Sequence, residues 1–460
     1  MSSERETEAG SEMFRGHFQG SVTESCWSDL TVSSCSSFDD KLLPVMNNLL
    51  EQIVARDNMY AAYNRVCANK GAPGIDNRSV YDLKGYLQKH WVRIQNELQS
   101  GTYKPSPVLR VEIPKPDGGV RPLGIPTVLD RLIQQAVHQV LSPIFELGFS
   151  RHSYGFRPGR SAHQAVRAVQ CYQEEGYKYV VDMDLKSFFD EVNHDILMGL
   201  LRQRIKDVRV LKLIRSYLQS GIMIGGLCNI PVKGTPQGGP LSPLLSNIML
   251  NELDKELESR GHRFCRYADD CNIYVRTRRS GERVLLSIAD FVESKLKLKV
   301  NWDKSAVAHP SRRKFLGFSF TLDRKIRISP QARKRFKAKV KELCRKGRGR
   351  NLENFILFDL NPYLKGWFNY FKLAEAKKKF AREADEWIRH RLRNILWRQW
   401  KRPWTRFRNL RKRGLGEERA AMSAFNKRGP WFNSGASHMN QAVKVKEFRE
   451  IGLFSLLENC

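Results

Sequence analysis

The chain has 460 residues, 41% of them hydrophobic, enough for about two to four domains with a sizeable core. Lys and Arg number 79 against 48 Asp and Glu, a formal net charge of +31, so the expected partner is a polyanion and nucleic acid above all. No apolar run approaches the ~18 residues of a membrane-spanning helix, and the polar start MSSERETEAGSEM excludes a signal peptide. Nine scattered cysteines without a CxxC pair read as reduced thiols of a cytoplasmic protein; Cys265 and Cys271 lack the spacing of a zinc site.

In chain order, residues 1–40 are rich in Ser, Thr, Glu and Gly and read as a disordered tail. Helical patterning begins at KLLPVMNNLLEQIVARDNMYAAYNRV and stops at the turn-forming GAPGID. From there to about residue 320, short β-rich runs (VLRVEIP, YKYVVDMDL, CNIYV, FLGFSF) alternate with helical stretches, the pattern of an α+β core. Beyond it the sequence becomes basic and helical: residues 312–428 hold 36 Lys and Arg against 10 Asp and Glu, most of the net charge. Tyr363, Trp367, Tyr370 and Phe371, and then Phe380, Ala384, Trp387, Ile388, Leu392 and Ile395, recur at helical spacing. They read as packing stripes, which leaves the basic faces for phosphates.

Four stretches carry chemistry. In IPKPDGGVRPLGIPTVLDR, Lys115 and Arg121 flank a β-turn, and a hairpin with a cation on each arm could clamp a triphosphate. In YVVDMDLKSFFDEV, a β-branched run ends in Asp182 and Asp184, two residues that share a strand face. VKGTPQGGPLSPLLSNIML is a Gly- and Pro-rich loop with Gln237 at its middle, followed by a helix with Ser242 as its expected N-cap. FCRYADDCNIYV reads as a hairpin with Asp269 and Asp270 at its tip. Like charges this close repel unless a cation or proton lies between them, which is why paired acids mark divalent-metal sites. Taken alone, each stretch has an ordinary structural reading: a solvated Asp-Asp turn, a helix cap, exposed cations on a hairpin.

In this order, with SYGFRPGRSAHQAV between the first and second, the stretches resemble the reverse transcriptases encoded by bacterial group II introns, the maturases. LKLKVNWDKSAV and KFLGF are similar to that family's sixth and seventh blocks, KGAPGID to its N-terminal extension, NPYLKGWFNYF to its maturase (X) domain, and RGPWFNSGASHMNQAV to the DNA-binding region of short members of the group IIC lineage. The resemblance implies a right-hand polymerase: fingers and palm with an antiparallel sheet over 41–320, an α-helical thumb (X/maturase) domain over 321–402, and a small basic DNA-binding region over 403–460. It implies RNA-directed DNA synthesis with two Mg2+ ions on Asp184, Asp269, Asp270 and the carbonyl of Leu185, while Asp182 is given a supporting role or none and Asp190 is left structural. It further implies Phe189 as the ring that excludes a ribonucleotide, with Phe188 turned into the core. Lys115 and Arg121 would hold the triphosphate, Gln237 would shape the nucleotide pocket, Lys304 would protonate pyrophosphate, and Arg157 and Arg160 would contact the template backbone. The implied partners are an RNA template, a DNA primer, deoxynucleotides, group II intron RNA and a DNA target, with no membrane, in a bacterial cytoplasm and at the nucleoid when on DNA. His438 is the only histidine after 428 and Cys460 the only cysteine after Cys344, so no metal-dependent endonuclease is expected. The other readings are a splicing-only maturase, whose expected mark of decayed aspartates is missing, and a domesticated reverse transcriptase in defence or repair.

Overall fold

The computed structural model describes residues 48–114, 119–224, 227–229, 233–235, 238–375 and 377–460. The tail expected over 1–40, Lys115 with its turn, and Gln237 lie outside the described residues. The chain forms two compact units: one runs to Arg160 and takes in Met183–Cys271 and Val284–Ser305, the other comprises Ser161–Asp182, Asn272–Arg283 and Ala306–Cys460.

In the first unit, β1 (Val108–Pro114) and β2 (Val120–Ile125) form the expected antiparallel hairpin, with Ile113 opposite Arg121 and Pro114 opposite Val120. β4 (Ile222–Ile224) adds to β1 in parallel and β5 (Leu227–Asn229) pairs back on β4, giving the order β2-β1-β4-β5. The helix Val128–Glu146 runs through the core, and Thr127 caps it by accepting the Asp130 N–H. Asp130 is itself buried, so burial raises its carboxyl pKa, and it accepts from Tyr103 Oη (2.8 Å), Thr127 Oγ1 (2.6 Å) and the Ser106 N–H (3.1 Å). Gly74 of the GAPGID turn comes so close to this helix start that a Cβ there would meet Thr127 Cα and N at 2.8 Å, which is why a side chain is not tolerated.

A second sheet, of order β6-β7-β3-β8, comprises β6 (Arg263–Tyr267), β7 (Asp270–Val275), β3 (Tyr179–Met183) and β8 (Ala306–Ala308). Within the second unit, β8 runs antiparallel to β3, with Asp182 opposite Ala306. Asp182 is held there by Arg313, at 2.8 Å from Nε and 2.6 Å from Nη2. β9 (Phe318–Phe320) and β10 (Ile326–Ile328) form a short antiparallel pair. Helices make up the remainder of this unit, Pro330–Lys346, Asn361–Phe371 and Lys378–Gln399 being long ones. The aromatic stripes meet inside it: Phe336 lies 4.4 Å from Trp367, 5.8 Å from Phe380 and 5.9 Å from Tyr363, ring centre to ring centre. These rings are packing faces, as their spacing predicts.

Candidate active site

β6 and β7 are joined by Ala268 and Asp269 alone, and Ala268 has φ +58°. Two-residue hairpins require that left-handed geometry, which a residue with a Cβ adopts only when its surroundings fix it. Here the fixing group is Arg266, fully buried in β6. Its Nε and Nη2 donate to the two carboxylate oxygens of Asp254 at 2.7 and 2.6 Å, and its Nη1 donates to Asn247 Oδ1 (3.0 Å) and the Ala268 carbonyl (2.9 Å). Asn247 and Asp254 are seven residues apart on the helix Ser242–Ser259 and so share one face. Burial pushes the Asp254 carboxyl up and the Arg266 guanidinium pulls it down. That helix starts with Ser242 as its first residue and Leu241 before it, so the expected cap lies one position off.

The SYGF segment supports the same tip. Arg266 N–H donates to the His152 carbonyl and Tyr154 N–H to the Arg266 carbonyl, each at 2.9 Å, while Asn247 Nδ2 donates to the Gly155 carbonyl at 2.9 Å. A Cβ on Gly155 would overlap the backbone of Ala268, so the two backbones touch and only glycine fits. Asp269 is half-buried and Asp270, the first residue of β7, is exposed.

Asp184 follows the end of β3 and is gripped by the segment 299–305. Its N–H donates to Ser305 Oγ (3.1 Å), its carbonyl accepts the Asn301 N–H (2.8 Å), and Oδ2 accepts from Asn301 Nδ2 (2.9 Å) with Lys304 Nζ 3.9 Å away. Leu185 and Val300 form an isolated antiparallel bridge, flanked by the Asn301-to-Asp184 bond and one from Lys186 N–H to the Lys299 carbonyl (2.8 Å). In this pattern the Leu185 carbonyl turns away from 299–301. Among the described residues, no group of three or more His, Cys, Asp or Glu side chains is gathered as a metal-binding cluster. The oxygen donors nevertheless fit a hard divalent cation: carboxylates, a backbone carbonyl, and a lysine ammonium already standing against Asp184 where positive charge is wanted.

A pocket of about 280 Å³ opens between the first sheet and the short helix Phe188–Glu191, lined by Arg110, Gly124, Phe189, Asp190, Lys233 and Thr235 among others. Phe188 is buried and Phe189 lines the pocket, the division expected of the pair. Phe189 is fixed through its carbonyl, which accepts the Thr235 N–H at 2.7 Å, and Lys233 pairs with Glu191 at 2.7 Å.

Arg157 departs from its expected role. It is buried, with Nε and Nη2 on the Glu146 carboxylate (3.0 and 2.7 Å) and Nη1 on the carbonyls of Ser150 and Ser153. A guanidinium so fully engaged inside the fold is not presented to a phosphate. Arg160 is exposed, with its guanidinium 5.7 Å from the Tyr154 ring centre. Sequence reasoning passed over Arg266, Asp254, Asn247 and Asn301. The one signal available was an arginine following the apolar Phe264 and Cys265 inside a strand, and its partners twelve and nineteen residues upstream left none.

Residues 113–320 match the family model described as reverse transcriptase (RNA-dependent DNA polymerase), and residues 333–414 match that described as group II intron, maturase-specific domain. Protein YkfC of Escherichia coli (strain K12) is 35% identical over 323 residues, covering 61% of this chain and 84% of YkfC. The group II intron-encoded protein LtrA of Lactococcus lactis subsp. cremoris is 39% identical over 214 residues, covering 46% of this chain but 35% of LtrA. Among solved structures, a chain of a partial Cas6-RT-Cas1–Cas2 complex aligns at 25% identity with a TM-score of 0.36, covering 53% of this chain and 42% of that one.

Proposed function

The chain belongs to the family of group II intron-encoded reverse transcriptases and maturases, RNA-directed DNA polymerases by class, and we propose that its polymerase centre is built on Asp184, Asp269 and Asp270. The observation that carries this is the separate hydrogen-bond lattice behind each acidic element: Asn301 and Ser305 behind Asp184, Arg266 behind the Asp269–Asp270 tip. Preorganised carboxylates of this kind cost nothing to arrange when substrate arrives.

Two Mg2+ ions held by these carboxylates and the Leu185 carbonyl would stabilise the attacking 3′ oxygen of the primer and the departing pyrophosphate oxygen. The protein's own residues do the rest. Phe189 walls the nucleotide pocket and leaves no room for a 2′-hydroxyl, so the product is DNA. Lys115 and Arg121 neutralise the triphosphate, and Gln237 completes the pocket for the base pair. Lys304, whose ammonium stands beside Asp184, hands a proton to pyrophosphate. Arg160 meets the template backbone.

The basic helical region grips the template–primer duplex and folded intron RNA through phosphates and 2′-hydroxyls, assisting splicing and reinsertion, and residues 403–460 contact the DNA target. No helix among the described residues is long and apolar enough to cross a membrane; the proposed setting is the bacterial cytoplasm, at the nucleoid when on DNA.

Extension of a DNA primer on an RNA template, with Mg2+ and deoxynucleotides, tests this reading. Wild type extends, and Asp184→Ala and Asp269→Ala do not. A wild type that adds no nucleotide, or an Asp269→Ala variant as active as wild type, would sink the assignment.

A further inference from the structure

Phe156, in the SYGFRPG segment, has two unusual properties together. Its φ is +58°, a conformation that costs a bulky side chain on the order of 1–3 kcal/mol, and 53% of it is exposed. An exposed ring gains little burial to offset that strain, so the fold maintains it by force. The forcing groups lie on either side. Gly155 is fastened by Asn247 Nδ2 and by its backbone contact with Ala268, and Arg157 is riveted to Glu146, Ser150 and Ser153.

The place where the ring is held matters. Gly155 touches the Ala268 backbone, so the Phe156 Cα lies within about 8 Å of the residue preceding Asp269. An aromatic face kept in solvent beside polymerase carboxylates suits a nucleobase, because every base offers a π-face, and the exposed Arg160, four residues on with its guanidinium by the Tyr154 ring, adds positive charge to the same segment. We infer that Phe156 is a stacking platform for an unpaired template base entering the active site, and that the buried Arg157 acts as its positioning residue. This rests on the polymerase reading above.

The strain supplies an unusual test, because stability and binding respond in opposite directions. Phe156→Gly accepts a positive φ without penalty, so its melting temperature equals or exceeds that of wild type. The same change weakens binding of a primer–template with a single-stranded 5′ RNA overhang about tenfold, while a blunt duplex binds as before. 2-Aminopurine placed at the first unpaired template position is quenched on binding to wild type and brighter on binding to Phe156→Gly. Phe156→Trp restores overhang binding and quenching. Phe156→Gly with wild-type overhang affinity and quenching, or with overhang and blunt-duplex binding weakened alike, would overturn the inference; a loss of melting temperature would mark the ring as a structural residue and do the same. Failure of wild type to extend any primer would instead be failure of the polymerase reading.

Discussion

Replacing Arg266 with Met removes one partner of an ion pair whose side chains are 1% and 0% exposed. Breaking such a pair leaves a buried charge uncompensated, and the cost is about 3–5 kcal/mol. For a unit of this size, about 2–4 °C per kcal/mol puts the loss at roughly 6–20 °C in melting temperature. The pH dependence sharpens the prediction. Burial already raises the Asp254 carboxyl above its ordinary value, and without the guanidinium to pull it down it rises further. The folded variant therefore binds a proton that the unfolded chain has released, so the stability that this proton contributes is present below the ordinary carboxylate range and lost as pH rises through the folded value. The gap between wild type and Arg266→Met should widen with pH. Adding Asp254→Leu removes the stranded charge and should recover part of the stability and abolish the widening, while leaving the Ala268 carbonyl and Asn247 without their donor. DNA synthesis should then stay at least tenfold below wild type in the refolded double variant. Thermal melts at several pH values, with primer extension alongside, decide it. An Arg266→Met protein within about 1 kcal/mol of wild type at neutral pH, or a fully active double variant, would refute the account of how the tip is held.

Phe189→Val should narrow discrimination against ribonucleotides by ~tenfold or more, read from competing incorporation of the two sugars; unchanged selectivity would remove the ring from the gate. Arg157→Lys cannot reach Glu146 and two carbonyls at once, so it should lower stability by about 1–3 kcal/mol without changing the salt slope of template binding. A shallower slope with an unchanged melt would return Arg157 to the phosphates. His152 is pushed down to about 4, first by burial and then by Arg151 and Arg263, so its folded form resists a proton that the unfolded chain accepts near 6.5. Stability should fall as pH drops from about 6.5 to about 4, by less than the full shift implies because solvent screens the partly exposed ring, and His152→Gln should flatten that part of the profile.

Much of this protein was written locally. The β1–β2 hairpin follows from a turn sequence between two β-rich arms, the RYADD hairpin from two strand-forming runs around a tight turn, and the aromatic faces of Asn361–Phe371 and Lys378–Gln399 from helical spacing. The acids at the RYADD tip and after β3 were legible as paired carboxylates at the ends of β-rich runs, whereas the division between Phe188 and Phe189 followed only from the resemblance to the reverse transcriptases. Arg157, Arg266 and Phe156 were not legible, because their environments come from distant segments. Arg157 carries the charge of a phosphate ligand, yet Glu146 and the 150–153 loop close around it. Arg266 is one strand residue among many until the helix Ser242–Ser259 sets Asp254 and Asn247 against it. Phe156 is one more aromatic until its flanking residues are seen to hold it strained in solvent. Sequence alone determined which residues carry charge and which element each occupies; tertiary structure decided which charges face the substrate and which are used up in holding the others in place, because that depends on contacts whose partners no local pattern encodes.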